Sequence, residues 1–157
     1  MQRRSIIQAT AALLGAASLA SPLIGLAQTQ TKVEVWKTAT CGCCHDWVAH
    51  LEASGFQVKT HDISDMAKAT QRRQLGLADK FGSCHTALVG GYVLEGHVPA
   101  RDIRRLLQER PKALGLAVPG MPIGSPGMDG PAYGGRKDPY GVMLVQRDGS
   151  ASVYQAY

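Results

Sequence analysis

"TATCGCCHDW", Thr38 to Trp47, places three of the chain's four cysteines within four positions and a histidine directly after them. A structural disulfide uses two cysteines, and a thiol–disulfide exchange site also uses two, spaced Cys-x-x-Cys. Cys41 and Cys44 have that spacing, so Cys43 is one sulfur more than either role requires. The flanks say where the cluster lies. Upstream, KVEVWK (Lys32 to Lys37) alternates apolar and polar residues as a strand does, and downstream FQVKTHDI (Phe56 to Ile63) reads as a second strand. Between them Cys44, Trp47, Val48 and Leu51 share one helical face, and Gly55 is placed to end that helix. The thiols therefore sit where a strand turns into a helix. There the helix dipole and the unpaired first-turn amides stabilise thiolates, the form that attacks disulfides and also the form that binds metal.

The pattern continues in alternation. SDMAKATQRRQLG (Ser64 to Gly76) predicts a helix capped by Ser64 or Asp65 and stopped by Gly76. HTALVGGYVLEGHV (His85 to Val98) predicts two strands joined at Gly90-Gly91, and a further helix is expected from Pro99 to Pro111. Beyond Pro111, residues 112–141 are dense in glycine and proline and are expected to form a long loop without regular structure. A closing hairpin is expected around Asp148-Gly149. A β-α-β start followed by a hairpin and a helix is an α/β arrangement with the outline of a thioredoxin-like domain. One domain is expected over residues 28–157, the Gly/Pro/Met-rich loop included.

The first 27 residues bear on the compartment. Arg3 and Arg4 open a run of small and apolar residues from Ile6 to Leu26, and Gly25-Leu26-Ala27 resembles a cleavage site, so residues 1–27 read as a signal peptide and the mature chain is expected in the periplasm. The arginine pair followed by Ser5, Ile6 and Ile7 resembles a twin-arginine signal. Gln8, Thr10, Ser18, Ser21 and Pro22 interrupt the apolar run, which argues against a retained transmembrane anchor. The formal net charge of +5 falls to +3 once Arg3 and Arg4 are removed. The remaining lysines and arginines are interleaved with acids and apolar residues as on solvated helix faces, so no nucleic-acid partner is expected and no membrane contact in the mature form.

Cys84 lies just before the third expected strand, and in thioredoxin-like folds that segment faces the dithiol turn. Four sulfurs with His85 alongside make a soft-metal donor set. Free cysteine is often buried, but in an oxidising compartment an odd thiol beside three others argues against Cys84 as mere packing; His85 reads equally as a ligand or an ordinary histidine, and His45, His50, His61 and His97 each read as ordinary histidines. Two disulfides would also satisfy four cysteines, but the adjacent Cys43 and Cys44 would then need different partners. Met121 and Met128 both occur in the phrase Pro-Gly-Met, where thioether sulfur serves equally as a Cu(I) ligand or as a gap-filler. Zinc, which also accepts cysteine and histidine, stays open.

The leader, VEVWKTATCGCCHDWVAHLEASGF, GSCHTALVGGYVLEGHVPARDIRRLL and GLAVPGMPIGSPGMDG together resemble the CopG-like periplasmic copper-resistance family, once labelled only as a domain of unknown function. The resemblance runs from about Val33 to the C-terminus. It implies a thioredoxin-like fold, copper held at a cysteine cluster and a role in copper tolerance, with cycling between Cu(I) and Cu(II) as a further expectation. Carried over residue by residue, Cys41, Cys43, Cys44 and Cys84 match the cysteine positions, and Met121 and Met128 match the methionine-containing loop. The metal-site set expected here is Cys41, Cys43, Cys44, Cys84, His85, Met121 and Met128, bridging one or more Cu(I) ions. Two other readings stay open, a thiol–disulfide oxidoreductase using Cys41 and Cys44 and a non-redox chaperone handing copper to a periplasmic efflux or carrier protein. Turnover of any substrate is not decided by the sequence.

Overall fold

The computed structural model describes residues 30–157; the leader expected over residues 1–27 lies outside them. Along the chain run β1 (Lys32–Lys37), α1 (Gly42–Ala53), β2 (Gln57–Asp62), α2 (Asp65–Gln74), β3 (His85–Val89), β4 (Tyr92–Glu95), α3 (Ala100–Glu109), β5 (Gly115–Ala117), β6 (Gly141–Val145) and β7 (Ala151–Ala156). Short 3-10 turns cover Asp79–Phe81 and Pro131–Tyr133. All the strands form one sheet in the order β2-β1-β3-β4-β5-β6-β7. The β1–β2 pair is parallel, as a helical crossover demands, and β3 and β4 add antiparallel. The mixed α/β fold and the β-α-β, hairpin and helix succession agree with the sequence.

The main core lies between the sheet and the two helices α1 and α3. Val33 and Val35 from β1, Trp47 and Leu51 from α1, Ile103 and Leu106 from α3, and Leu94 and Leu116 from the middle strands are all at most 1 % exposed. Each such side chain contributes about 1.5–3 kcal/mol on leaving water. Trp47 also donates its indole N–H to the Val98 carbonyl at 2.9 Å, fixing the first turns of α1 against the exit of β4. A smaller cluster of Leu77, Phe81, Val93, Leu114 and Val145 fills the space on the far side.

α2 is different. The residues it buries are Lys68 and Arg72, with no apolar side chain among them. Ser64 caps it by accepting the Ala67 N–H, as the sequence predicts.

Residues 112–141 depart from expectation. In place of a continuous loop, Gly115–Ala117 forms β5, parallel to β4 and antiparallel to β6, so the C-terminal hairpin joins the same sheet. Gly115, read from sequence as a breaker, is what permits the pairing: a Cβ there would run into the Val93 backbone. The rest of the segment is held by its own turns. The Gly124 N–H donates to the Met128 carbonyl and the Met128 N–H to the Ser125 carbonyl, both at 2.8 Å. Among the described residues no helix is long and apolar enough to cross a membrane.

Candidate metal centre

β1 ends at Lys37, and the chain turns through Thr38–Cys41, with the Cys41 N–H donating to the Thr38 carbonyl, to enter α1. Cys41 is the N-cap of α1 and caps with no side-chain hydrogen bond. Cys43 and Cys44 follow in the first turn, so three sulfurs surround the end of a helix whose first amides lack helical partners. The β3–β4 hairpin brings the fourth. Cys43 Sγ lies 3.8 Å from Cys84 Sγ and 3.6 Å from Cys41 Sγ, and Cys44 Sγ lies 3.6 Å from the Cys84 carbonyl oxygen. Cys41 and Cys44 are joined as a disulfide, leaving Cys43 and Cys84 as free thiols. All the sulfurs lie within 4.8 Å of one another.

A second group overlaps the first at Cys84. His85 Nδ1 lies 3.3 Å from Cys84 Sγ, and His97 Nε2 lies closer, at 2.9 Å. The tautomer of His97 follows from its other nitrogen. Nδ1 faces the Pro126 carbonyl at 2.8 Å, which can only accept, so Nδ1 carries the proton and the Nε2 lone pair points at the sulfur. His97 was read from the sequence as an ordinary histidine, and the structure corrects that. The signal was present in the hairpin. Thr86 pairs with Glu95, so stepping two residues outward on each strand brings position 84 opposite position 97.

His85 is fully buried, its ring 4.2 Å from Trp47 and 5.2 Å from His97 between centroids. Its Nε2 has no hydrogen-bond partner. Burial first, and then His97, hold the His85 imidazole well below its ordinary range, and burial does the same for His97 against the pull of the Pro126 carbonyl. Burial and the adjacent Cys43 push the Cys84 thiol up to about 12, with Ser83 and Lys68 pulling the other way.

Two uncharged imidazoles beside soft sulfur are ligand-ready, but they also set an acid limit. A folded pKa below the unfolded one contributes stability that is complete above the unfolded value, about 6.5, and is lost as pH falls. The thermal midpoint of the metal-free protein is expected to drop steadily below about pH 6.5, each of His85 and His97 costing up to about 1.4 kcal/mol per pH unit. A midpoint unchanged between pH 7 and pH 5 would show that these imidazoles are not neutral in the fold.

The turn that carries Cys84 is anchored from beneath. Glu95, with no exposed surface, accepts the Ser83 N–H at 2.6 Å, the Thr86 hydroxyl at 2.6 Å and Arg72 Nη1 at 3.2 Å. From above, the Ser83 hydroxyl donates to the Gly120 carbonyl, and the Gly120 N–H donates to the Gly82 carbonyl. The Pro-Gly-Met loop then closes over α1. At Gly127, with φ of 86°, a Cβ would press on the Cys43 carbonyl and the Trp47 amide, so only glycine allows the loop to lie this close.

The two methionines part company. Met128 is 9 % exposed and its sulfur accepts the Tyr133 hydroxyl at 3.2 Å, whereas Met121 points outward and is 54 % exposed. Of the residues expected at the site, Cys41, Cys43, Cys44, Cys84 and His85 are brought together, and His97 joins them.

Fold and site together define a mixed α/β protein with a cysteine–histidine cluster able to hold a soft metal ion. The family described as "Protein of unknown function, DUF411" matches residues 81–128. Two solved structures of a copper resistance protein, copG, in its forms 2 and 1, are similar at 46 % and 47 % identity; each match covers 82 % of this chain and 98 % of that one, with a TM-score of 0.74. No curated protein matches the chain. The chain belongs to the CopG copper-resistance family.

Proposed function

We propose that this chain is a periplasmic copper-binding protein acting in copper resistance, holding Cu(I) between the thiolates of Cys41, Cys43, Cys44 and Cys84. The observation that carries the reading is the convergence of four sulfurs within 4.8 Å, too many for a disulfide exchange site and too close for independent roles. Thiolate sulfur is soft and bridges readily, which favours Cu(I) over harder ions. His97, oriented by the Pro126 carbonyl, and His85 add imidazole nitrogen next to Cys84. Met128 follows Gly127, which lies against the Cys43 carbonyl, so its thioether is a further candidate ligand on the same loop.

The Cys41–Cys44 disulfide links binding to electron transfer. Opening it to two thiolates takes two electrons, which equals the oxidation of two Cu(I) to two Cu(II). The same balance read backwards regenerates the disulfide and two Cu(I). The chain would thereby exchange one electron pair with two copper ions in either direction, and continued cycling would draw on an outside electron donor or acceptor.

The disulfide also favours a second reading, thiol–disulfide exchange with Cys41 as nucleophile and Cys44 as resolving thiol. One variant separates the two. Cys43→Ala leaves the Cys-x-x-Cys pair intact, so an exchange enzyme should keep full disulfide reductase activity without metal. A bridging cluster should instead lose at least half of its bound copper. The measurement is copper per chain after anaerobic reduction and Cu(I) loading, with a thiol count on the same sample. Wild-type copper content in Cys43→Ala, together with metal-free reductase activity, would hand the function to the second reading.

A further inference from the structure

The residues that α2 buries are two cations, Lys68 and Arg72, one helical turn apart. A helix with no buried apolar side chain has little hydrophobic reason to stay on the sheet. It is attached through charge instead, and both attachments lead to the Cys84 turn. Arg72 reaches Glu95, which holds the Ser83 amide, and Lys68 Nζ donates to the Cys84 carbonyl itself at 2.8 Å.

The two cations are not equally neutralised. Arg72 meets the fully buried Glu95 carboxylate, whereas another buried cation, Lys37, meets Asp62 at 2.6 Å, a carboxylate that is 55 % exposed. The acid that Lys68 meets is Asp65, at 3.0 Å, whose side chain is 85 % exposed and therefore water-screened, while the Lys68 side chain is 10 % exposed. Lys68 is thus a buried ammonium with a weak counter-ion, placed against the backbone of a metal-site cysteine. Burying such a charge is costly unless something nearby is negative. When the cysteines are reduced and carry metal as thiolates, they supply that negative charge, since thiolates that outnumber monovalent ions leave a net anion.

We propose that Lys68 is the positioning counter-charge of the reduced cysteine cluster, and that α2 docks more firmly when the cluster is loaded. The inference rests on Cu(I) binding at this site. Its chemistry is electrostatic: no bond to the metal is made by Lys68, and Asp65 sets how much of its field reaches solvent.

The test uses the full mature chain, reduced anaerobically and given Cu(I) against a competing Cu(I) chelator, with amide exchange followed in α2. Wild-type protein is expected to gain exchange protection across Asp65–Gln74 on loading. Lys68→Gln, which keeps a hydrogen-bond donor and removes the charge, should bind Cu(I) about tenfold more weakly, equivalent to about 1.4 kcal/mol, and lose the gain in protection. Lys68→Arg, which keeps the charge, should restore both to within about twofold. Wild-type affinity in Lys68→Gln would overturn the proposal while leaving copper binding in place. So would loaded wild-type protein without added protection in α2, a readout that needs no variant to fold. Wild-type protein that takes up no Cu(I) would overturn the binding function and this inference with it.

Discussion

Cys84→Ser should remove at least half of the copper bound by the reduced protein while leaving its thermal stability within about 1 kcal/mol of the parent. Cys84 is the one residue shared by both donor groups, 3.8 Å from Cys43 Sγ, 2.9 Å from His97 Nε2 and 3.3 Å from His85 Nδ1. Losing its sulfur therefore removes the link between the sulfur cluster and the imidazoles. Serine is nearly isosteric and can still donate to His97, so the fold has no reason to fail, but a hard hydroxyl does not replace a soft thiolate. Metal content per chain and a melting curve on the same preparation check this. Full copper loading of the folded variant would show that the β3–β4 hairpin does not take part in the site.

Among the glycines of the described residues, Gly115→Ala should be the most damaging added methyl group. The added Cβ would have to occupy the place of the Val93 backbone, which side-chain rearrangement cannot clear. The β4–β5 pairing would open, and among the described residues β5 is the strand that ties β6 and β7 to the rest of the sheet. A loss of about 4 kcal/mol or more is expected, at the extreme of single substitutions. Gly130→Ala, where a Cβ would meet nothing within 4 Å, is the control and should stay within about 0.5 kcal/mol. Denaturant melts of the two variants decide the matter; similar midpoints would mean that β5 is dispensable.

Much of the core architecture was legible because it rests on local rules. The alternation in KVEVWK, the apolar face of Cys44, Trp47 and Leu51, the Ser64 cap and the Gly90-Gly91 turn each name an element without reference to the rest of the fold. What escaped depends on pairs of distant residues. β5 was hidden because Gly115 signals flexibility in isolation and close approach only once Val93 is beside it. His97 was hidden because it was weighed alone, although its distance from the hairpin turn mirrors that of Cys84. The inward face of α2 was hidden for a related reason: Lys68 and Arg72 look like solvated charges until a buried carboxylate and a carbonyl are placed under them. The cysteine convergence could be anticipated, because the Cys41–Cys44 spacing and the strand-entry position of Cys84 are both set by short stretches of chain. The Cys-x-x-Cys spacing also named the pair that forms the disulfide, although sequence carries no record of oxidation state.

The Gly90-Gly91 hairpin works as a pair of calipers. Its two limbs end on Cys84 and His97, and their tips meet because Val89 pairs with Tyr92 and each limb is counted from that same pivot. A sheet reverses the facing of every side chain for each single-residue slip. One residue added to one limb would therefore carry its tip to the opposite face and part the sulfur from the imidazole, although every strand could still form. The hairpin could be lengthened or shortened without losing this gap only by matched steps on both limbs, whatever residues lie along it.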